Sequence, residues 1–370
     1  MRRAVLCTLL LLSLYAEDTL AQENPKNFNV IGYYAGKASM IDSFHLEKLD
    51  RFIYCFAHLN ANQIALSNTN DTAALQKAVE LKNTKYPNLK VMVSMGGWTG
   101  CSTCSEVFQS DKGRKEFAQS VSSLIKSFSL DGFDLDWEYP VIPGPPNQPF
   151  SPNDKNNLTQ LLKILRETLG PKKEISFTAG GFTNFIEHAV DWKAVMPYVN
   201  RVNVMTYDMV TGYSTETGHH TALFSNSKQK ESIQHAIQML TTLQVHNSKI
   251  VIGAAFYARA WENVTKNNNG LYQKGDFKMA IPYKDIESNF PSDSGFVYHW
   301  DNISKAPYLY SAHKKWFVTY DDSKSVRLKT LYALQHHLNG IMFWQLGDDR
   351  TDSKALLDVI DEIRKKYHRM

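Results

Sequence analysis

The stretch Asp131-Gly132-Phe133-Asp134-Leu135-Asp136-Trp137-Glu138-Tyr139-Pro140 decides how the rest of the chain is read. Side chains alternate along a strand, so Asp134, Asp136 and Glu138 share one face and Phe133, Leu135 and Trp137 the other. The apolar face belongs against helices. The acidic face then lines an interior, with its carboxylates stepping about 6.7 Å at a time toward one end. Burying three acids in a file is costly as mere structure. Like charges that close cannot all ionise in a low-dielectric site, so a proton is shared among them. The outermost, Glu138, can stay protonated near neutral pH and serve as a general acid. A structural acidic cluster or a metal site is the competing reading. A metal would want His or further acids converging, and the stretch offers only its own three.

Working outward, this stretch is the fourth of eight short strand-like runs. They are Asn29–Tyr34, Arg51–Ala57, Lys90–Met95, Gly132–Trp137, Glu174–Ala179, Val202–Thr206, Ile250–Phe256 and Gly340–Gln345. Amphipathic patterns lie between most of them. Phe117, Val121, Leu124, Ile125 and Phe128 fall on one helical face, as do Ile233, Ala236, Ile237 and Leu240. Leu328, Leu331, Leu334 and Leu338 mark a further helix, with Asn339-Gly340 as its stop. Strands covered on both sides read as continuous apolar runs. Eight of them alternating with helices predict an α/β fold, the TIM (β/α)8 barrel, whose active site lies at the C-terminal ends of the strands. The last interval, from Ile250 to Gly340, spans 90 residues, where a βα unit needs only about 30. Residues 263–320 are therefore expected to form a small α+β insertion between strands seven and eight.

The 370 residues carry 41 Lys+Arg against 37 Asp+Glu, formally +4, with 43% hydrophobic and 12% aromatic residues. This charge is too small for a nucleic-acid groove, and the hydrophobic share excludes a mainly disordered chain. Met1-Arg2-Arg3 precedes the apolar run Ala4–Ala16, which ends before Thr19-Leu20-Ala21. At 13 residues the run is short for a membrane span of about 20. Residues 1–21 read as a secretory signal peptide, leaving 22–370 as the catalytic barrel with its insertion. The expected location is extracellular, or periplasmic in a bacterium, with no membrane contact after cleavage. Four cysteines are present. Cys7 leaves with the signal, export favours a short Cys101–Cys104 disulfide, and Cys55 sits in an apolar run as a buried thiol. His219 and His220 form a loop pair without a third ligand and read as structural. Asp348 and Asp349 read as solvated or as capping the last helix.

Asp131–Pro140 resembles, at every fixed position, the DGxDxDWEYP signature of glycoside hydrolase family 18, the chitinases. The resemblance extends over most of the chain. Val30-Ile31-Gly32-Tyr33-Tyr34 resembles the first barrel strand of that family, and Ser94-Met95-Gly96-Gly97-Trp98 its SxGG motif. Met205-Thr206-Tyr207-Asp208 resembles the strand-six motif, Phe256-Tyr257-Ala258-Arg259 the strand-seven motif and Phe343-Trp344 strand eight. Ala258 departs from the usual Gly, which bears on packing. The long insertion is similar to that of one chitinase subgroup, and Val210–His220 resembles secreted bacterial members more than animal ones.

The resemblance implies a retaining, substrate-assisted hydrolysis of β-1,4 N-acetylglucosamine linkages, in which the substrate's own N-acetyl oxygen attacks. It implies that Glu138 is acid and then base. Asp136 orients the acetamido group, and Asp134 shares a proton with Asp136. Tyr207 holds the acetamido carbonyl side and Asp208 sits beside the acid. Tyr33 and Ser94 support the inner acids. Trp344 floors the central sugar site and Trp98 a site on the leaving side. Phe56, Gly97, Met205, Tyr257 and Arg259 line the pocket, the lesser alternative for Arg259 being a salt bridge to the insertion. No cofactor and no metal are implied, and the partner is chitin or a chito-oligosaccharide met by a monomer. Two alternatives use the same fold. One is a chitin-binding lectin, a class that has generally lost the acid Glu138. The other is an endo-β-N-acetylglucosaminidase acting on N-glycans.

Overall fold

The structure is a computed structural model and describes residues 28–367, so the expected signal peptide at 1–21 lies outside the described residues. Eight parallel strands form the predicted barrel. In chain order they are Asn29–Tyr34, Arg51–Asn60, Lys90–Gly96, Gly132–Asp136, Glu174–Gly180, Arg201–Met205, Ile250–Ala255 and Gly340–Trp344. Each pairs with its sequence neighbour, and the first pairs with both the second (Tyr33↔Ile53) and the eighth (Val30↔Ile341), which closes the ring. The expected bounds hold to within a residue or two, except at the second strand. That strand runs on to Asn60 and folds back on Gln63–Ala65 as a hairpin. The sixth begins one residue before its expected start because Arg201 pairs with Ser176.

The helices pack as their periodicity predicts. In Asp111–Phe128 the side chains of Phe117, Val121 and Ile125 are buried, and Ser110 accepts a hydrogen bond from the Gly113 amide at the N-cap. Phe117 packs edge-on against Phe133, the outward residue of strand four, and full burial of such a ring contributes about 1.5–3 kcal/mol. The helix Ser323–Gln335 stops before Leu338. Gly340 is thus not its stop signal. A Cβ at Gly340 would lie 2.0 Å from the Asn29 carbonyl, so a glycine lets strand eight approach strand one. A second core, including Ile31, Ile53, Met92, Val251 and Met342, fills the barrel interior.

The insertion contains a five-stranded antiparallel sheet in the order Asp276–Pro282, Tyr257–Glu262, Trp316–Thr319, Ala306–Ser311, Val297–Asp301. It already includes Tyr257–Glu262, so Tyr257 and Arg259 stand on this sheet and not on the seventh barrel strand, which ends at Ala255. Ala258 is buried in the core of that sheet. Cys101 and Cys104 are disulfide-bonded and Cys55 is a buried free thiol. No described helix is long and apolar enough to cross a membrane.

Candidate active site

Every residue of strand four is buried, and the three acids rise from the barrel interior to its C-terminal mouth. Asp134, the innermost, accepts four hydrogen bonds. Ser176 (2.5 Å) and Asn203 (3.1 Å) donate to Oδ1, and Ser94 (2.8 Å) and Tyr33 (3.1 Å) donate to Oδ2. Tyr33 in turn accepts from Asn203 at 2.7 Å. These donors fill both oxygens, so in this conformation Asp134 makes no hydrogen bond to Asp136. The proton expected between them is therefore not seen as a direct bond. Asp136 instead accepts from the Thr178 hydroxyl. Burial raises the carboxyl of Asp136, and the charge of Asp134 adds to the rise against the Thr178 bond. Glu138 is raised well above the carboxylate range, first by burial and then by Asp136 and Asp208. The buried site therefore favours the neutral form of the outermost acid.

Asp208 is held differently. Its backbone is left-handed (φ 58°). Arg259 donates from Nε and Nη2 to its two oxygens, each at 2.6 Å, and the Tyr257 hydroxyl donates at 2.5 Å. His220 Nδ1 lies 3.6 Å away. Burial would raise this carboxyl, but His220 and Arg259 more than offset it and hold Asp208 well below the usual range. A carboxyl pulled down thus stands near one pushed up. Arg259 is also the salt bridge that ties the insertion sheet to the barrel loop, so both of its readings describe one contact. His219 pairs with Asp301 at 3.0 Å, and Asp349 caps the last helix through the amides of Leu356 and Leu357. Asp348 is partly buried beside it.

Aromatic rings surround the acids. Trp344, at the end of strand eight, stacks on Phe56 with ring centres 5.4 Å apart and faces Tyr33 at 6.3 Å. The ring of Tyr207 meets that of Tyr257, and its hydroxyl lies 3.9 Å from Met342 Sδ. Met205 is buried in the barrel-interior core beside them. Gly97 has φ 80° and donates its amide to the Asp136 carbonyl at 2.9 Å; a Cβ there would sit 2.7 Å from the Phe56 ring. Trp98 is 40% exposed and touches Tyr139 and the loop residue Tyr213, which makes an open platform outside the pocket. The peptide bonds Cys55–Phe56, Glu138–Tyr139 and Trp344–Gln345, all at the mouth, are cis.

Three polar residues of the site, Ser176, Thr178 and Asn203, are not singled out by the sequence motifs, and His220, which the sequence reads as structural, also belongs to it. The first three are legible from alternation: Ser176 and Thr178 alternate on strand five, and Arg201 and Asn203 on strand six, so polar residues recur on inward faces where barrels favour aliphatic ones.

The family described as glycosyl hydrolases family 18 matches residues 29–349. Chitinase A1 of Niallia circulans is 32% identical over 295 residues, covering 73% of this chain and 42% of that protein. Chitinase B of Serratia marcescens is 27% identical over 375 residues, covering 84% and 75%. The chain thus spans less than half the length of Chitinase A1, and 22% of the similar Chitinase ChiA of Flavobacterium johnsoniae. Among solved structures, a glycoside hydrolase family 18 N-acetylglucosaminidase from Paenibacillus barengoltzii superposes with a TM-score of 0.82 at 33% identity, covering 91% of this chain and 100% of that one. Chitinase ChiA74 from Bacillus thuringiensis gives 0.85 at 26% identity, covering 92% and 70%. A closed barrel with an acid ladder at its mouth, matched from its first strand to the residues just past its eighth, belongs to glycosyl hydrolases family 18.

Proposed function

We propose that this protein is a secreted chitinase that hydrolyses β-1,4 N-acetylglucosamine linkages of chitin and chito-oligosaccharides with retention. The observation that carries this reading is the buried ladder, with Glu138 outermost, its carboxyl pushed up by burial, and Asp136 one step below. Glu138 gives its proton to the glycosidic oxygen, and the carboxylate left behind then activates water. Asp136 accepts a hydrogen bond from the acetamido N–H and stabilises the positive charge that develops as the acetamido oxygen attacks the anomeric carbon. Tyr207 is positioned for the carbonyl side of that group. Secretion is supported by the basic start and short apolar run at the N-terminus.

The test is to incubate the protein with chito-oligosaccharides and with a high-mannose glycoprotein, and to read the products by mass. Cleavage of the oligosaccharides, inhibited by a thiazoline mimic of the cyclised acetamido intermediate, is expected. Binding without cleavage would make the protein a lectin, and cleavage of the glycoprotein alone would move the substrate to N-glycans. Likeness to an N-acetylglucosaminidase supports a second reading of the cleavage pattern, release of single sugars rather than longer products, and the same spectra separate the two.

Trp344 offers its ring face to the sugar. Trp344→Ala is expected to lower kcat/KM on chito-oligosaccharides by about ten- to a hundredfold, roughly 1.4–3 kcal/mol of transition-state binding. An unchanged kcat/KM would remove Trp344 from the sugar site.

A further inference from the structure

The ladder stands on a charged floor. Arg201, Asn203 and Met205 share the inward face of strand six, since Asn203 bonds both Asp134 and Tyr33 inside the barrel. Arg201 lies in register with Ser176, whose hydroxyl donates to Asp134. The Arg201 side chain is buried, and only Nη2 is bonded, to Glu174 at 2.6 Å; Nε and Nη1 have no hydrogen-bond partner among the described residues. Glu174 is shared with Arg51, which donates to it from Nε and Nη2 at 2.7 and 2.8 Å. One carboxylate between two guanidinium groups leaves a net positive charge below the acids.

The other charged groups at this end are engaged elsewhere. Lys90, at the foot of strand three, lies 3.7 Å from Asp131. Lys249, before strand seven, donates to the carbonyls of Met196 and Val199. The remaining groups around Asp134 are Asp136 above it, the neutral donors Tyr33, Ser94, Ser176 and Asn203, and the thiol of Cys55. Asp134 therefore has no cation bonded to it; burial pushes its carboxyl up against the four hydrogen bonds it accepts, and Arg201, in register with Ser176, is a buried cation below it with bonding capacity left over. Burial pulls the Arg201 guanidinium down and Arg51 adds to this, while Glu174 and Asp134 pull it back up. A guanidinium nonetheless stays charged.

We propose that Arg201 is a positioning residue for the reaction, its charge on the barrel floor keeping Asp134 the ionised rung so that the ladder's proton resides on the acids above. This rests on the ladder being the catalytic machinery. A cation favours the anionic form of each acid and so lowers its pKa; an anion does the reverse.

The experiment is the pH profile of kcat/KM on a chito-oligosaccharide, with a parallel NMR titration of labelled aspartate carboxyls that needs no turnover. Arg201→Met is expected to move both limbs of the profile to higher pH by about half a unit or more, and Glu174→Gln to move both to lower pH by a similar amount. Arg201→Lys, which keeps the charge, is expected to stay within about 0.2 unit of the wild type. Damage to packing alone would not move two substitutions at one contact in opposite directions. Limbs that stay in place, or move the same way in both variants, overturn the proposal. If Arg201→Met fails to fold, Glu174→Gln against Arg201→Lys decides alone. A wild-type protein that cleaves no oligosaccharide would instead sink the chitinase reading, and the carboxyl titration would still decide the role of Arg201.

Discussion

Glu138→Gln is expected to abolish hydrolysis of chito-oligosaccharides, with a loss of about 10²–10⁴-fold or more, while leaving their binding intact. Glutamine keeps the size and hydrogen-bonding reach of the acid but has no proton to give and no carboxylate to activate water. The rest of the site is untouched, because Asp134 and Asp136 take their hydrogen bonds from strands three, five and six and from Tyr33. Binding by calorimetry and turnover by product mass would be measured on the same sample. A variant that keeps wild-type turnover would show the acid to be elsewhere. The pH dependence follows with a definite sign. As the proposed acid, Glu138 would have to be neutral to act, and burial together with the charges of Asp136 and Asp208 raises it. Activity should therefore persist well above the ordinary carboxylate pKa and fall as pH rises through the folded value of Glu138. An alkaline limb near pH 4–5, the ordinary range for Glu, would contradict this.

The second large effect concerns stability, far from the acids. Lys329→Met is expected to destabilise the protein by about 3–5 kcal/mol, because it strands a buried carboxylate. Lys329 Nζ bonds Asp321 Oδ2 at 2.6 Å and Thr221 Oγ1 at 2.5 Å, and neither charged side chain is exposed. Asp321 also accepts from the Ala255 amide at 3.0 Å and from Ser325 Oγ at 2.6 Å. One carboxylate thus gathers the end of strand seven, the chain leaving the insertion sheet, the helix Ser323–Gln335 and the loop carrying Thr221. Urea unfolding at neutral pH would measure the loss. A change below about 1 kcal/mol, the size of an exposed pair, would mean that water reaches the site.

The reading of Asp131–Pro140 went far because a strand's geometry is local. Alternation alone put three acids on one face, and the apolar partners Phe133 and Trp137 pack outward on Phe117 and Phe108. The eight runs were legible for the same reason: each is buried on both sides, so hydrophobicity is continuous and its period is short. Tyr257 and Arg259 were harder to place. They follow strand seven directly, and only the pairing of Arg259 with Thr319 and Ala280 assigns them to the insertion sheet. His220 was read as structural, and nothing in a loop pair of histidines foretells that one meets Asp208 and the other Asp301.

By itself, then, the sequence determined the barrel, the ladder and the acid at its top, since these follow from periodicity and residue type along one strand. The tertiary structure alone decided which way each acid's proton affinity is shifted. Asp134, Asp136 and Asp208 are the same residue type, yet four neutral donors surround the first, one hydroxyl meets the second and Arg259 clamps the third. Those partners come from other strands, from a loop and from the insertion sheet. A carboxyl's proton affinity depends on desolvation and on charges brought close in space, which no spacing along the chain encodes.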